Sequence, residues 1–400
     1  MEPGKTPIQG RVARLYRKTT RLYTTIPYNL SRTGHSFPPS HYFLEMTRRC
    51  NLRCKMCLYI QWLENTPTKV QASDELTTDE WLNVIDQTGR FSLITFTGGE
   101  VWVRKDFEQI LAHACSKRRV HFISNAVMLR DERAERCAEL APRRLGGKGL
   151  NSTGISIDGT REIHDEVRAQ RGAFDKSIKG IKALAEARNR LGKQCPLIHI
   201  NTVILKENLD VLPEMPRLAA ECGVNVLNLL TEMRSHDNME LGQVDPEQFG
   251  EDDVSTPQID VARLDEALRE TARNAKEAGV ELRMPRTSYE ELLSYHERGY
   301  DMTQYDCRAV WTNLFIGSKG GVYPCFIQKV GNVREQSLKE IWNSPKMRKF
   351  RRRRRESGFT VCQGCCELEY KHYTYQNGQP PTNGAVLPSR EPASTEKVQT

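Results

Sequence analysis

Three cysteines near the start of the chain have a spacing that suits an iron–sulfur cluster. Cys50, Cys54 and Cys57 form a C-x3-C-x2-C loop directly after a predicted strand. Three thiolates bind three irons of a [4Fe–4S] cubane and leave the fourth iron open to a ligand, as catalytic metal sites keep an open position. A structural zinc site would want a fourth protein ligand close in sequence, and this loop has none.

A second group of cysteines lies in the last quarter of the chain. Cys307 and Cys325 flank a predicted hairpin at 311–325, and Cys362 and Cys365 form a C-x2-C pair after a predicted helix at about 336–350. Two such pairs can enclose one cubane with four thiolates, although paired cysteines also build zinc ribbons, so both metals remain open here. Cys366 is left over.

The remaining composition agrees with metal ligation rather than disulfides. The 400-residue chain has 12 cysteines and 38% hydrophobic residues, without a secretory signal or an apolar run long enough to cross a membrane. We therefore expect a cytoplasmic protein, in which cysteines serve metals or catalysis.

Short apolar runs alternate with helical patterns through the first 230 residues. Strands are predicted at 42–47, 93–97, 119–124, 153–157, 198–204 and 225–230, with helices at about 78–89, 105–117, 131–141, 174–191 and 210–222. Six such units without a Rossmann glycine fingerprint predict an α/β fold, a partial (β/α)6 TIM-like barrel. We expect a basic N-terminal arm (1–40), the barrel (41–235), an acidic loop and linking helices (236–300), a small α+β module (301–370) and a polar tail (371–400).

Several polar residues and two glycines lie at or near the C-terminal ends of the predicted strands, where such barrels place active sites. They are Gly98, Gly99, Glu100, Ser124, Asn125, Ser156, Asp158 and Asn201. The segment His164-Asp165-x-x-Arg168 follows the fourth strand. Taken singly, each could be a cap or turn residue, but their common position favours one site.

The cysteine loop and these strand ends closely resemble the radical S-adenosylmethionine (SAM) superfamily. The resemblance implies that SAM chelates the open iron, that Gly98-Gly99-Glu100 receives its amine, and that Ser156 and Asp158 contact its ribose or amino-acid portion. It also implies that Arg168 pairs with its carboxylate and assigns Asn125 and Asn201 to the cofactor site. Met56 stands where the family often has an aromatic residue.

The second module resembles the SPASM/twitch extension of these enzymes. A full SPASM pattern has seven cysteines and two clusters, whereas the C-terminal module of this chain has five cysteines. We therefore expect the shorter twitch form, with one auxiliary [4Fe–4S] cluster on Cys307, Cys325, Cys362 and Cys365. Cys366 is an alternative ligand, a proton donor or a buried thiol.

The resemblance implies reductive cleavage of SAM to a 5′-deoxyadenosyl radical that abstracts a hydrogen atom from a substrate. We expect a dehydrogenase-like oxidation or bond formation in a small sugar, aminocyclitol or lipid headgroup, with the auxiliary cluster accepting an electron. The alternatives are a peptide-modifying maturase, an epimerase that uses Cys366 as hydrogen donor, and a non-catalytic iron–sulfur redox sensor or nucleic-acid-binding regulator. Glu232 and His236 are candidate bases, although a solvated loop is the simpler interpretation.

Two segments are strongly basic. Residues 1–33 carry seven basic groups and one acidic group, and residues 346–355 carry eight basic groups and no acidic group. They favour an anionic substrate or peripheral membrane contact, but a solvated helix face is an equal interpretation of Arg351–Arg355. We expect a reducing partner such as flavodoxin or ferredoxin, and no nucleic acid.

Overall fold

Parallel strands alternate with helices through the first part of the protein. The computed structural model describes residues 22–233, 259–325, 328–356 and 362–371. Seven strands succeed one another in it: β1 His41–Glu45, β2 Leu93–Thr97, β3 Arg119–Ser124, β4 Gly149–Ser156, β5 Leu197–Val203, β6 Val226–Leu230 and β7 Glu281–Arg283. All neighbours among them pair in parallel. The predicted partial barrel is confirmed.

The helices that connect these strands bury one face each. They are α1 Ile60–Asn65, α2 Thr68–Gln71, α3 Thr78–Asp86, α4 Phe107–Lys117, α5 Asp131–Leu140, α6 Arg161–Val167, α7 Ala173–Arg190, α8 Met215–Glu221, α9 Val261–Ala278 and α10 Tyr289–Arg298. Thr77 caps α3 in a reciprocal capping box with Glu80. Apolar residues of these helices and of the alternate strand positions form one core.

The C-terminal module adds short strands and two helices. They are β8 Tyr305–Asp306, β9 Asn313–Ile316, β10 Gly321–Tyr323, β11 Gly331–Asn332, β12 Glu369–Tyr370, α11 Leu338–Trp342 and α12 Pro345–Glu356. The hairpin of β9 and β10 is confirmed. Strand β9 also pairs in parallel with β1, so within the described residues one sheet runs β11-β10-β9-β1-β2-β3-β4-β5-β6-β7. The module therefore extends the barrel sheet rather than standing apart from it.

Two expectations change in this module. The helix predicted at about 336–350 is divided, because Asn343 ends α11 and Pro345 begins α12. The arginine run lies on α12, and Arg351 and Arg354 are buried. The interpretation as a solvated helix face is therefore wrong for these two residues.

Several predicted segments lie partly or wholly outside the described residues. These are most of the acidic loop, including His236, and nearly all of the polar tail. Of the N-terminal arm, residues 22–30 are helical. The domain boundaries stay predictions. Among the described residues, no helix has both the length and the apolar character to cross a membrane.

Candidate active site

The first cysteine loop follows β1 and is shaped by its own backbone. The amide of Cys57 donates to the carbonyl of Cys54 at 3.1 Å. The amides of Leu52 and Tyr59 donate to the Sγ atoms of Cys50 and Cys57, at 3.4 Å each. Amide donors aimed at sulfur favour the thiolate form that binds iron.

Apolar side chains surround these thiols. Leu52 and Ala173 are buried beside Cys54, with Met56 packed against them. Burial raises the pKa of Cys50 to about 12. Iron would therefore have to displace protons from neutral thiols, as metal binding to cysteine generally does.

A buried ion pair extends from β4 to this loop. Arg168 Nη2 lies 2.5 Å from Asp158 Oδ2, and Arg168 Nη1 donates to Cys54 Sγ at 3.5 Å. Burial acts to lower the pKa of Arg168, but the charges of Asp158 and Cys54 outweigh it and raise that pKa. The guanidinium is thus a fixed positive charge at the predicted cluster, and Asp158 acts on the site through it.

The side chain of Glu100 joins the ends of β2 and β3. Its carboxylate is fully buried and accepts from the Ser124 hydroxyl at 2.8 Å and from the Asn125 amide at 2.8 Å. Asn125 in turn lies 3.9 Å from Cys50 Sγ, measured from Nδ2. Glu100 therefore holds Asn125 beside the cysteine loop, and its predicted contact with the SAM amine stays a prediction.

The two glycines before Glu100 are required by a close backbone approach. Gly98 has φ +132°, and a Cβ there would lie 2.2 Å from the carbonyl oxygen of Thr47; a Cβ on Gly99 would lie 2.3 Å from that of Arg49. The protein's own chain makes this approach, which brings the end of β2 against the segment that leads into Cys50.

The two remaining strand-end residues lie side by side. Ser156 on β4 pairs in register with Asn201 on β5, and Asn228 on β6 donates to Asn201 Oδ1 at 3.2 Å. Asn228 was missed from the sequence. All three are half-buried, so this part of the sheet presents amide and hydroxyl groups to an incoming ligand.

Three histidines on alternate strands were also missed. His41 on β1 bonds to Thr95 at 2.7 Å and His121 on β3 bonds to Ser152 at 2.8 Å, while the rings of His121 and His199 are 6.1 Å apart. Burial lowers the pKa of His121 to about 4. The signal in the sequence was each histidine's alternation with buried apolar residues, which places it on the sheet face away from the helices.

The second group of cysteines is gathered in one buried cluster. Cys307 and Cys362 are buried together, and Cys325 and Cys365 pack against that cluster. The amide of Cys365 donates to the carbonyl of Cys362 at 3.0 Å, forming a turn. The structure therefore brings together the four predicted auxiliary ligands, which are far apart in sequence.

A cavity of about 220 Å³ separates the barrel mouth from the auxiliary cysteines. The ends of β6 and β7 form one wall, including Asn228 and Arg286, and the loop with Cys365 and Cys366 forms the other. Cys366 is exposed. The cavity is thus bordered by the predicted auxiliary site and by the adjacent free thiol.

Glu232 occupies a different position from the one expected of a base on a solvated loop. It is buried, and its carbonyl accepts from the Tyr295 hydroxyl at 2.6 Å. The neighbouring Thr231 donates to the carbonyl of Gly364 at 2.9 Å. These contacts join the end of β6 to the auxiliary loop, and a catalytic role for Glu232 stays a prediction.

Two family models match the chain, and they match the two regions just described. Residues 44–219 match the radical SAM superfamily, and residues 307–366 match SPASM, an iron–sulfur cluster-binding domain. The chain therefore belongs to the radical SAM superfamily and carries a C-terminal SPASM domain. Its cofactors are SAM and catalytic and auxiliary [4Fe–4S] clusters.

Curated relatives resemble the chain over most of its length. The AdoMet-dependent heme synthase of Methanosarcina barkeri is 28% identical over 339 residues, covering 81% of this chain and 87% of that protein. The PqqA peptide cyclase of Granulibacter bethesdensis is 26% identical over 328 residues, covering 78% and 76%.

The fold resembles solved structures of Streptococcus suis SuiB. The structure with bound S-adenosylmethionine has a TM-score of 0.57 and 17% identity, covering 86% of this chain and 75% of that chain. The structure with bound precursor peptide SuiA has the same TM-score and identity, covering 84% and 71%.

The residues present fit these cofactors. The first loop offers three thiols beside a fixed guanidinium and amide donors, and the SPASM region offers four clustered thiols. Among the described residues, no three side chains of His, Cys, Asp or Glu converge on a position for a single metal ion.

Proposed function

We propose that this protein is a radical SAM enzyme that oxidatively modifies a peptide held in the cavity beside its auxiliary cysteines. Cys50, Cys54 and Cys57 would hold the catalytic cluster, and Cys307, Cys325, Cys362 and Cys365 the auxiliary cluster. When bound, SAM supplies by reductive cleavage the radical that removes a hydrogen atom from the substrate. The observation that carries the proposal is the cavity, because one of its walls contains both Cys365 and Cys366.

The cavity's position favours oxidation. A substrate group beside Cys365 would lie next to the auxiliary thiolates, so the electron left after hydrogen abstraction has an acceptor nearby. The substrate would lose one hydrogen atom, one proton and one electron, which together make a two-electron oxidation. Asn228 and Arg286 would orient polar groups of the substrate at the opposite wall.

The comparisons support a peptide better than the small metabolite favoured from the sequence. PqqA peptide cyclase is named for a peptide substrate, and SuiB has been solved with its precursor peptide. Cys366 is both exposed and part of the cavity wall, so a segment of extended chain could enter from that side.

A tetrapyrrole is the second candidate. The heme synthase of M. barkeri covers more of this chain than the peptide cyclase does. The specific observation in its favour is the row of His41, His121 and His199 with Arg283 close enough to act on the pKa of His121 and His199. The guanidinium of Arg283 would suit a ligand that carries carboxylates, and each neutral imidazole has one N–H that can donate to such a ligand.

The first experiment is anaerobic reconstitution with iron and sulfide, followed by metal analysis and by addition of dithionite and SAM. We expect about eight irons, corresponding to two cubanes, and 5′-deoxyadenosine formation that is lost in Cys54→Ala. Two zinc-filled sites, or no SAM cleavage by fully loaded protein, would overturn the proposal.

A second experiment separates the substrate classes. Loaded enzyme is incubated with a pool of short peptides and, separately, with iron coproporphyrin III, while 5′-deoxyadenosine and product mass are measured. Stimulated turnover with a peptide that loses two hydrogens supports the main proposal. Turnover with the porphyrin alone would replace it with the second candidate.

A further inference from the structure

The arginine run Arg351–Arg355 is divided by the helix into different environments. Arg351 and Arg354 are 0% and 4% exposed, whereas Arg352, Arg353 and Arg355 are half-buried. Residues three or four apart share a helix face, so Phe350 and Arg354 lie one turn apart on the same side of α12. The run is therefore not a single basic surface.

Arg351 serves the packing of the module. Its guanidinium lies 4.0 Å from the ring centre of Trp342 and donates to the carbonyls of Val310 and Gly34 at 2.9 and 3.0 Å. Burial lowers the pKa of Arg351. Its guanidinium is used in packing contacts and in backbone hydrogen bonds.

Arg354 is buried on the side of α12 that packs against the auxiliary cysteines. Phe350, one turn before it, is a member of the buried cluster that contains Cys307 and Cys362 and packs against Cys325 and Cys365. Burial acts to lower the pKa of Arg354, but the Coulombic interaction with the four cysteines raises it. Burial raises the pKa of Cys307, the charge of Arg354 acts to lower that pKa, and the charge of Glu367 acts to raise it.

A buried cation beside an iron–sulfur cluster has a defined effect. Reduction adds one negative charge to the cluster, and a nearby positive charge in a low-dielectric interior stabilises that reduced form. Net charge around a cluster is one of the factors that set its reduction potential. We propose that Arg354 raises the reduction potential of the auxiliary cluster and so tunes it as an electron acceptor.

This inference rests on the auxiliary cluster of the proposed function, but not on the identity of the substrate. An auxiliary cluster that is more easily reduced takes up the electron left on the substrate more readily. Arg354 would act through the cluster and would not itself touch the substrate, so its role is to tune and not to catalyse.

The test is an EPR-monitored redox titration of the auxiliary cluster alone. The background is the full chain with Cys50, Cys54 and Cys57 all changed to Ala, reconstituted with iron and sulfide. Iron content is measured before any reduction potential. About four irons in this background would confirm the auxiliary ligand set, and their absence would refute that part of the proposed function. R354Q, R354K and R352Q are then compared in this background.

We expect R354Q to keep its iron and to shift the ratio of oxidised to reduced cluster about tenfold toward oxidised at a fixed potential. For a one-electron couple this corresponds to a potential lower by about 59 mV. R354K should lie close to the parent because it keeps the charge, and so should R352Q, whose guanidinium bonds to the carbonyl of Thr33. Loss of iron in R354Q but not in R354K also supports a charge requirement.

Three outcomes would overturn the inference. The first is an unchanged potential in iron-loaded R354Q. The second is an equal shift in R352Q, which would reflect overall charge and not position. The third is loss of iron in both R354Q and R354K, which would assign Arg354 to the packing of the module.

Discussion

Asp158 and Arg168 form a buried ion pair whose partners have different further contacts. Asp158 Oδ1 accepts from the amide of Val203 at 3.1 Å, and Arg168 donates to Cys54. Removing one partner leaves the other as an uncompensated buried charge, whereas removing both charges does not. The pair therefore links the end of β4 to the catalytic cysteine loop.

We predict that Arg168→Gln lowers the free energy of unfolding by about 3–5 kcal/mol, the usual cost of breaking a buried pair. The double variant D158N/R168Q should recover part of that loss, because no lone carboxylate remains. Chemical denaturation of the four proteins of this cycle measures it. A double variant as unstable as R168Q would show that the ion pair is not what stabilises this contact.

Cys366 separates the oxidation proposal from the epimerase alternative. We predict that C366S keeps about eight irons and that C365S keeps about four, because Cys365 packs with the auxiliary thiols and Cys366 is exposed. Iron analysis after reconstitution measures this. In the oxidation proposal C366S still turns over substrate, and abolished product formation with intact iron would favour Cys366 as a hydrogen donor.

The residues at the strand ends were predictable because the C-terminal ends of parallel strands meet at one edge of the sheet. The reasons for Gly98 and Gly99 were not, since their close contacts are with Thr47 and Arg49, about 50 residues earlier. The burial of Glu232 was also missed, because the loop with Gly364 that covers it is distant in sequence.

At the scale of elements, α12 holds the segment before β1 against the SPASM domain. Besides the bonds of Arg351, Arg355 donates to the carbonyls of Tyr28 and Ser31 at 3.1 and 3.0 Å. Arginine side chains thus donate to backbone carbonyls of the N-terminal arm. The membrane contact suggested for this basic run loses support, since these arginines are used within the protein.

We predict that Arg351→Gln destabilises the protein by about 2–4 kcal/mol, because it removes a stacked guanidinium and leaves buried carbonyls without donors. R352Q removes one hydrogen bond at a half-buried position. It should lower the free energy of unfolding by less than about 1 kcal/mol, as substitutions near the surface usually do. Urea denaturation compares the two. Faster proteolysis near residues 28–34 in R351Q alone would locate the effect, and equal losses in both variants would contradict it.

Local patterns predicted strands β1 to β6, the hairpin of β9 and β10, and most of the longer helices to within a few residues. They did not predict that β9 joins β1, because His41 and Asn313 pair across more than 270 positions. They also did not separate α11 from α12, although Pro345 was a visible signal for a new helix start.

At the scale of the whole molecule, several buried and half-buried histidines make the protein sensitive to acid. Burial lowers the pKa of His41 to about 3 and the pKa values of His121, His164 and His296 to about 4. The ordinary value is about 6.5. Below it the unfolded chain binds protons that the folded chain does not, so stability falls as the pH falls from about 6.5 toward 4.

His296 offers a clean test of this linkage. It is 1% exposed, and neither ring nitrogen has a hydrogen-bond partner in the described part of the chain. We predict that H296F removes about 2 kcal/mol of the stability lost between pH 7 and pH 5, as a shift from 6.5 to about 4 implies. At pH 7 the variant should be at least as stable as the parent, because an unsatisfied buried polar group is replaced by an apolar ring of similar shape.

The measurement is the unfolding free energy of both proteins at pH 7, 6 and 5, under anaerobic conditions with matched iron content. The His113→Phe variant is the control for replacing a histidine by phenylalanine, since that half-exposed side chain bonds to Asp86 at the surface. If H296F and the parent lose stability in parallel, the acid sensitivity arises elsewhere. His41 and His121, on the sheet face away from the helices, would then be the next residues to substitute.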